Sequence, residues 1–302
     1  HAMTQDTSMI HEASAYRLYN LMGVPAPKTG YAQLFINGTF KGLYLNVETP
    51  DEIMLSSRFT DPTKHLYEGQ AFKDFKPGNS DGDGASGAFT VDVGWSTTPN
   101  KDDLSAAIRV AKMPVSSAKT GAAWWKAMDV SFDRSKLVMG FAVDNFTGNW
   151  DSYSGSIVNN YFARSNQNGK FTLMPWGADQ TFGENRRTTT LLDDYFFKVD
   201  AKEIGFPWMR DFDPTRTALP RGTLFQKCLS YGPCKTLYLN DLRAVAKKAT
   251  SSRQANYMKA TSSLIGQWSS SGAVAEQNRS IDWLDTQITR VRAVLTKNKI
   301  RY

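Results

Sequence analysis

The chain has 302 residues, 41% hydrophobic and 12% aromatic, with Gly and Pro at 22 and 12, which provides for a substantial core and excludes disordered or collagen-like chains. Its longest good apolar run, Leu137 to Val143, is too short to span a bilayer, so no membrane span is expected. The formal charge of +7 is uneven: residues 201–302 carry 17 Lys/Arg against 7 Asp/Glu, the first 200 carry 19 against 22.

In chain order, Asp6 or Ser8 reads as the N-cap of a helix that Gly23 closes, and Val24-Pro25-Ala26-Pro27 cannot continue it. Residues 31–36 and 39–48 flank Asn37-Gly38, a two-residue hairpin signal, because a type I′ turn needs positive φ at both positions. Residues 51–59 read as a short helix, His65 to Glu68 as a strand, and Gly78 to Gly87 as a flexible acidic loop. Residues 101–112, 118–128 and 133–148 are helical in pattern, with Asp102 and Asp133 as expected caps. A second hairpin is expected from Asn160–Ala163 and Lys170–Pro175 around Asn168-Gly169. Irregular sequence follows from 183 to 220, and the last 80 residues are mostly helical. The fold class is α+β.

The two cysteines, Cys228 and Cys234, flank the turn signal Gly232-Pro233 and fit one disulfide, which points to an exported protein. With only His1, His11 and His65 besides, no zinc set is available, and a structural role is the default for His11 and His65. The start His1-Ala2-Met3 reads as a cloning remnant, leaving 4–302 as a single domain. The basic C-terminal third could meet a polyanion. Lys247, Lys248, Arg290 and Arg292 fall on amphipathic helical patterns, however, where a solvated face suffices, so nucleic acid is not an expected partner. Asn79-x-Asp81-x-Asp83-Gly84 imitates half a calcium loop but has Thr90 at its twelfth position, and reads as a solvated turn.

Two polar clusters end apolar elements: Asn149-Trp150-Asp151 after the Leu137–Phe146 helix, and Trp176 to Gly183 after the strand at Phe171. A hairpin linking Asn160 and Asp179 brings both to one end of a small sheet, beside the helix end that presents Asp151. Two carboxylates and an amide oxygen are hard ligands suited to Mg²⁺. The alternative is that Asp151 and Asp179 simply cap turns.

Taken together, Asp6-x-Ser8 before a helix, Met22-Gly23-Val24-Pro25, Phe35 to Glu48 with its Asn37-Gly38 and Gly42-Leu43-Tyr44, Leu66-Tyr67-Glu68-Gly69, Asn149-Trp150-Asp151, Asn160-Tyr161 and Pro175 to Gly183 resemble the CotH family of spore-coat-type protein kinases. The likeness covers roughly residues 6 to 190; residues 220–302 carry no matching motif. It implies a secreted or coat-associated, atypical protein-kinase-like fold that transfers the γ-phosphoryl of ATP to Ser or Thr of a protein substrate, with Mg or Mn. By position in the motifs, Asp151 is the catalytic base, Asp179 and Asn160 are metal ligands, and Glu48 and Glu68 are nucleotide-site candidates, Glu48 as the possible partner of a Lys. The order Asp, Asn, Asp matches a kinase catalytic loop followed by the metal-binding Asp, at longer intervals.

The chain also departs from the family pattern. Gly177 stands where many members have a first acid, Glu68 where many have Lys, and the Arg- and Lys-rich strands that open full-length members are absent. These departures support a competing reading, a non-catalytic, adhesin-like surface or coat module. A third is a divalent-metal hydrolase using the same acids.

Overall fold

The computed structural model describes residues 1–69, 73–76, 89–184, 191–196 and 222–302, with backbone alone at 194 and 195. The expected loop 78–87, the Asn79–Gly84 segment, and most of 183–220 lie outside the described residues.

Helix α1 (His11–Leu21) begins later than its sequence signal, because the Asp6 carboxylate first accepts the Ser8 and Met9 amides of a preceding turn and then the His11 amide at 2.8 Å. Asp6 thus caps the preceding turn and then, through the His11 amide, the start of the helix, while Ile10 takes the N-cap position itself. The hairpin β1 (Thr29–Ile36) and β2 (Thr39–Val47) turns as expected, with Asn37 at φ 49° and Gly38 at φ 76°. Asp51 accepts the Ile53 and Met54 amides to start α2 (Glu52–Arg58).

A second, antiparallel sheet has the order β4-β3-β5-β6, formed by β3 (Thr63–Gly69), β4 (Thr90–Val93), β5 (Tyr161–Asn166) and β6 (Phe171–Pro175). The β5–β6 turn closes through Gly169 at φ 74° with the Gly169 amide on the Asn166 carbonyl. Three helices separate β4 from β5: α3 (Asp102–Lys112), α4 (Ala118–Ser131) and α5 (Arg134–Thr147). Asp133 caps α5 as expected; Asp102 does not cap α3 but lies in its first turn, where its amide donates to Asn100. Its neighbour Asp103 is buried instead and binds α3 to the sheet, accepting from Tyr67 at 2.7 Å and from His65 at 2.9 Å. Burial pushes the Asp103 carboxyl up, but donation from Ser165, His65 and Tyr67 holds it below the usual carboxylate range.

Part of the stretch read as irregular is helical, α6 (Leu191–Phe196). Then come α7 (Thr223–Ser230), α8 (Gly232–Ser251), α9 (Gln254–Ile265) and α10 (Ser271–Lys297). The break between α7 and α8 is Tyr231; Gly232-Pro233, expected as a turn, instead opens α8, and the Cys228–Cys234 disulfide spans the break. Three wholly buried glutamines tie these helices to earlier backbone: Gln254 donates to Ser14 O, Gln277 to Ser8 O and Gln287 to Asn145 O, at 2.9–3.0 Å. No described helix is long and apolar enough to cross a membrane.

The core centres on α5, which packs on β6, α1, α8 and α10. Beneath the sheet, Phe75 stacks edge-on against Phe132, Phe171 and Tyr153 at 5.2–6.1 Å between ring centroids. The consequence for function is positional: α5 delivers the chain, through Gly148 in the left-handed conformation at φ 70°, directly into Asn149-Trp150-Asp151.

Candidate functional site

The loop after α5 is wound by its own backbone. The Asn149 amide donates to Asp144 O at 2.8 Å, the Ile157 amide to Trp150 O at 3.1 Å, and the Ser152 hydroxyl to Asn149 O at 2.9 Å. Gly155 permits this: a Cβ there would meet the Trp150 carbonyl oxygen at 2.2 Å. From beneath, the Asp144 carboxylate accepts from Ser154 at 2.8 Å and from the Tyr19 hydroxyl of α1. Burial pushes Asp144 up to about 6, against the pull of these hydroxyls.

Asp151 is presented by this loop and held by two amides. Asn159 Nδ2 donates to Oδ1 at 3.0 Å and Asn160 Nδ2 to Oδ2 at 2.7 Å, one donor per oxygen. Burial nevertheless raises the Asp151 carboxyl above its ordinary range, the amides opposing. Asn160 gives its nitrogen to Asp151 and so keeps Oδ1 as an oxygen donor.

The β6 end closes on the same pair. Trp176 N donates to Asn160 O at 3.0 Å, and Gly177, at φ 50°, passes so close that a Cβ would stand 3.0–3.2 Å from the Asn160 side chain. Glycine at 177 is therefore what this packing of Asn160 requires, and the acid common at that place in the resembling family would press on Asn160. Two residues on, Asp179 accepts from Gln180 at 3.3 Å. Burial raises Asp179 to about 6, with the negative charges of Glu12 and Asp6 adding to the rise. The following turn is fixed by the Phe182 amide on Thr147 O at 2.7 Å, so both ends of the constellation hang on the end of α5.

The structure thus joins Asp151 to Asn160 directly and brings the Asp179 turn against Asn160 through Gly177. Among the described residues no hydrogen bond joins Asp179 to either of them. Glu48 lies just past the end of β2, accepting the Lys28 amide at 2.9 Å and pairing with Arg58 of α2. Its cationic partner is an arginine, where the kinase comparison had suggested a lysine. Glu68 sits on β3 opposite Phe162 and Thr90, and its charge adds to the burial that raises Asp92. No described hydrogen bond links Glu48 or Glu68 to Asp151, Asn160 or Asp179.

The donor set suits a hard divalent cation: two half-buried carboxylates, each raised by the burial it has, and one amide oxygen. Asp179 and Asn160 are the residues that would hold it. Residues without a sequence-based role also belong here: Asn159 as the second clamp on Asp151, Asp144 and Tyr19 as the floor of its loop, and Glu12 beside Asp179. The sequence carries two signals for them: the polar pair Asp144-Asn145 inside the largely apolar Leu137–Phe146 helix, and Asn159 directly before Asn160.

The family described as CotH kinase protein matches residues 1–296. The chain is also 24% identical to the inner spore coat protein H of Bacillus subtilis (strain 168) over 193 residues, 63% of this chain and 51% of that protein. The chain therefore spans about half the length of the curated relative it matches.

Proposed function

This chain belongs to the CotH family, and from that premise we propose that it is an exported or coat-associated protein kinase, acting as one domain over residues 4–302. It would transfer the γ-phosphoryl of ATP to Ser or Thr of an extracellular or coat protein, with Mg or Mn. The observation that carries this reading is the double clamp on Asp151 by Asn159 and Asn160 beside the Asp179 turn. Phosphoryl transfer needs little covalent help; it needs phosphates and acceptor held in line.

In this reading a serine or threonine oxygen forms the new bond to the γ-phosphorus while the bridging bond to the β-phosphate breaks, and ADP leaves. The acceptor proton passes to Asp151, whose two amide donors hold its carboxylate in one rotamer and whose raised affinity for a proton suits a base. The cation supplies neutralisation of phosphate charge when bound. Asp179 and Asn160 hold it, and Gly177 keeps Asn160 in register with Asp151. The disulfide fits an oxidising compartment.

A second reading rests on Gly177, which removes one carboxylate: a coat module that kept the architecture and lost the chemistry. Incubation with γ-labelled ATP, Mg²⁺ or Mn²⁺ and acceptor proteins separates the two. The kinase reading expects label on Ser or Thr that disappears in Asp151→Ala. Absence of transfer by wild type, with no change in melting temperature on adding ATP and metal, rejects it in favour of the module. Free phosphate without labelled acceptor points to a hydrolase.

A further inference from the structure

His11, the first residue of α1, is 1% exposed, and both of its ring nitrogens face polar atoms. On one side Nε2 lies 2.5 Å from the Ser280 hydroxyl of α10, and that hydroxyl donates its hydrogen to the Glu276 carbonyl at 2.8 Å. Ser280 is therefore the acceptor towards His11, and Nε2 carries a proton. On the other side Nδ1 faces three oxygens: Asp6 Oδ1 at 3.3 Å, the Asp179 carbonyl at 3.3 Å and Glu184 Oε2 at 3.7 Å. Two carboxylates and a carbonyl converging on one nitrogen need a positive centre among them, supplied by a proton on Nδ1 or by a metal ion in its place.

We propose that this is a site for a divalent first-row transition metal, Mn²⁺ or Zn²⁺, held by Asp6, His11 and Glu184, with the Asp179 carbonyl beside it. The three ligand atoms already lie within 4.8 Å of one another. Bonds of about 2.1 Å place neighbouring donors roughly 3.0–3.4 Å apart, so small closing movements suffice. One imidazole nitrogen among carboxylates selects a transition metal over Mg²⁺ or Ca²⁺, which favour oxygen throughout.

The surroundings match those of a ligating histidine, whose second nitrogen is fixed by a hydrogen bond; here the Glu276–Ser280 relay does this. Asp6 is oriented by the Ser8, Met9 and His11 amides, and Glu184 by the Thr7 hydroxyl at 3.1 Å. A cleft of about 300 Å³ whose charged lining is Glu184, Glu276 and Asp282 together with Arg279 and Arg290 reaches His11 and gives a route from solvent. This cation is distinct from one on the Asp179 side chain: it would fasten the 179–184 turn, through its backbone and Glu184, to the segment entering α1.

The test uses the full chain stripped by EDTA, with Zn²⁺ or Mn²⁺ titrated calorimetrically in the absence of nucleotide. One equivalent should bind. His11→Gln and Glu184→Gln should each weaken binding at least about 10-fold, and Ser280→Ala by about 10–100-fold. The Mn²⁺ complex should show imidazole nitrogen coupling by pulsed EPR, absent in His11→Gln; Glu184→Gln keeps the test independent of whether the histidine variant folds. No binding by wild type at millimolar metal overturns the proposal. So does binding indifferent to His11 and Glu184, or a histidine NMR spectrum with both His11 nitrogens protonated in excess metal.

Discussion

Replacing Asp179 by asparagine should stabilise the metal-free protein. In the fold this carboxyl titrates at about 6 instead of 3.8, through burial and the nearby charges of Glu12 and Asp6. Each pH unit of that displacement corresponds to about 1.4 kcal/mol. Because the side chain is partly reached by solvent, screening reduces the total to about 1–2 kcal/mol. The folded value lies above the unfolded one, so the ionised group costs stability above pH 6; the cost fades as pH falls and is gone below about 4, where both states are protonated. Asparagine keeps the acceptor for Gln180 and carries no charge. In EDTA at pH 7.5, Asp179→Asn should therefore melt about 2–5 °C above wild type by differential scanning fluorimetry. The gap should narrow steadily towards pH 5. A variant that melts below wild type at pH 7.5, or a gap that does not change with pH, would refute the idea of an uncompensated, half-buried anion.

Other expectations follow from single contacts. Asn159→Ala removes one of two donors to Asp151, so the acid limb of the phosphorylation rate profile should move to higher pH and kcat/KM should fall about 10-fold or more. Gly177→Asp forces a side chain into φ 50° and against Asn160. It should cost about 1–2 kcal/mol in chemical denaturation and lower activity instead of restoring a family-like second acid. Opening the Cys228–Cys234 bridge with paired serines should cost about 2 kcal/mol, read as a lower denaturation midpoint that reducing agent then leaves unchanged.

Features set by local backbone demands were readable in the sequence. Asn37-Gly38 announced β1 and β2 because few residues accept two successive positive φ values, and Asp133 announced α5 because its carboxylate serves the amides just ahead. Asp6 misled for the same reason, since one carboxylate can cap a turn and then a helix start. The link of Asp151 with Asn160 followed from a hairpin returning beside a helix end. Partners set by tertiary packing were not readable: Arg58 for Glu48 depends on where α2 lies, and Ser280 is 269 residues from His11. Asn159 was visible beside Asn160, but no local rule says which neighbour of a strand start turns toward the carboxylate.

The central claim is that Asp179 and Asn160 hold the metal of a bound nucleotide while Asp151 serves the acceptor. Calorimetric titration with Mn·ATP tests it most directly, comparing wild type, Asp179→Asn and Asp151→Asn. The account predicts one nucleotide per chain for wild type and for Asp151→Asn, with affinity at least about 10-fold weaker for Asp179→Asn, the loss of one charge-paired ligand. Equal affinity in all three, or no uptake of nucleotide by wild type, would contradict it.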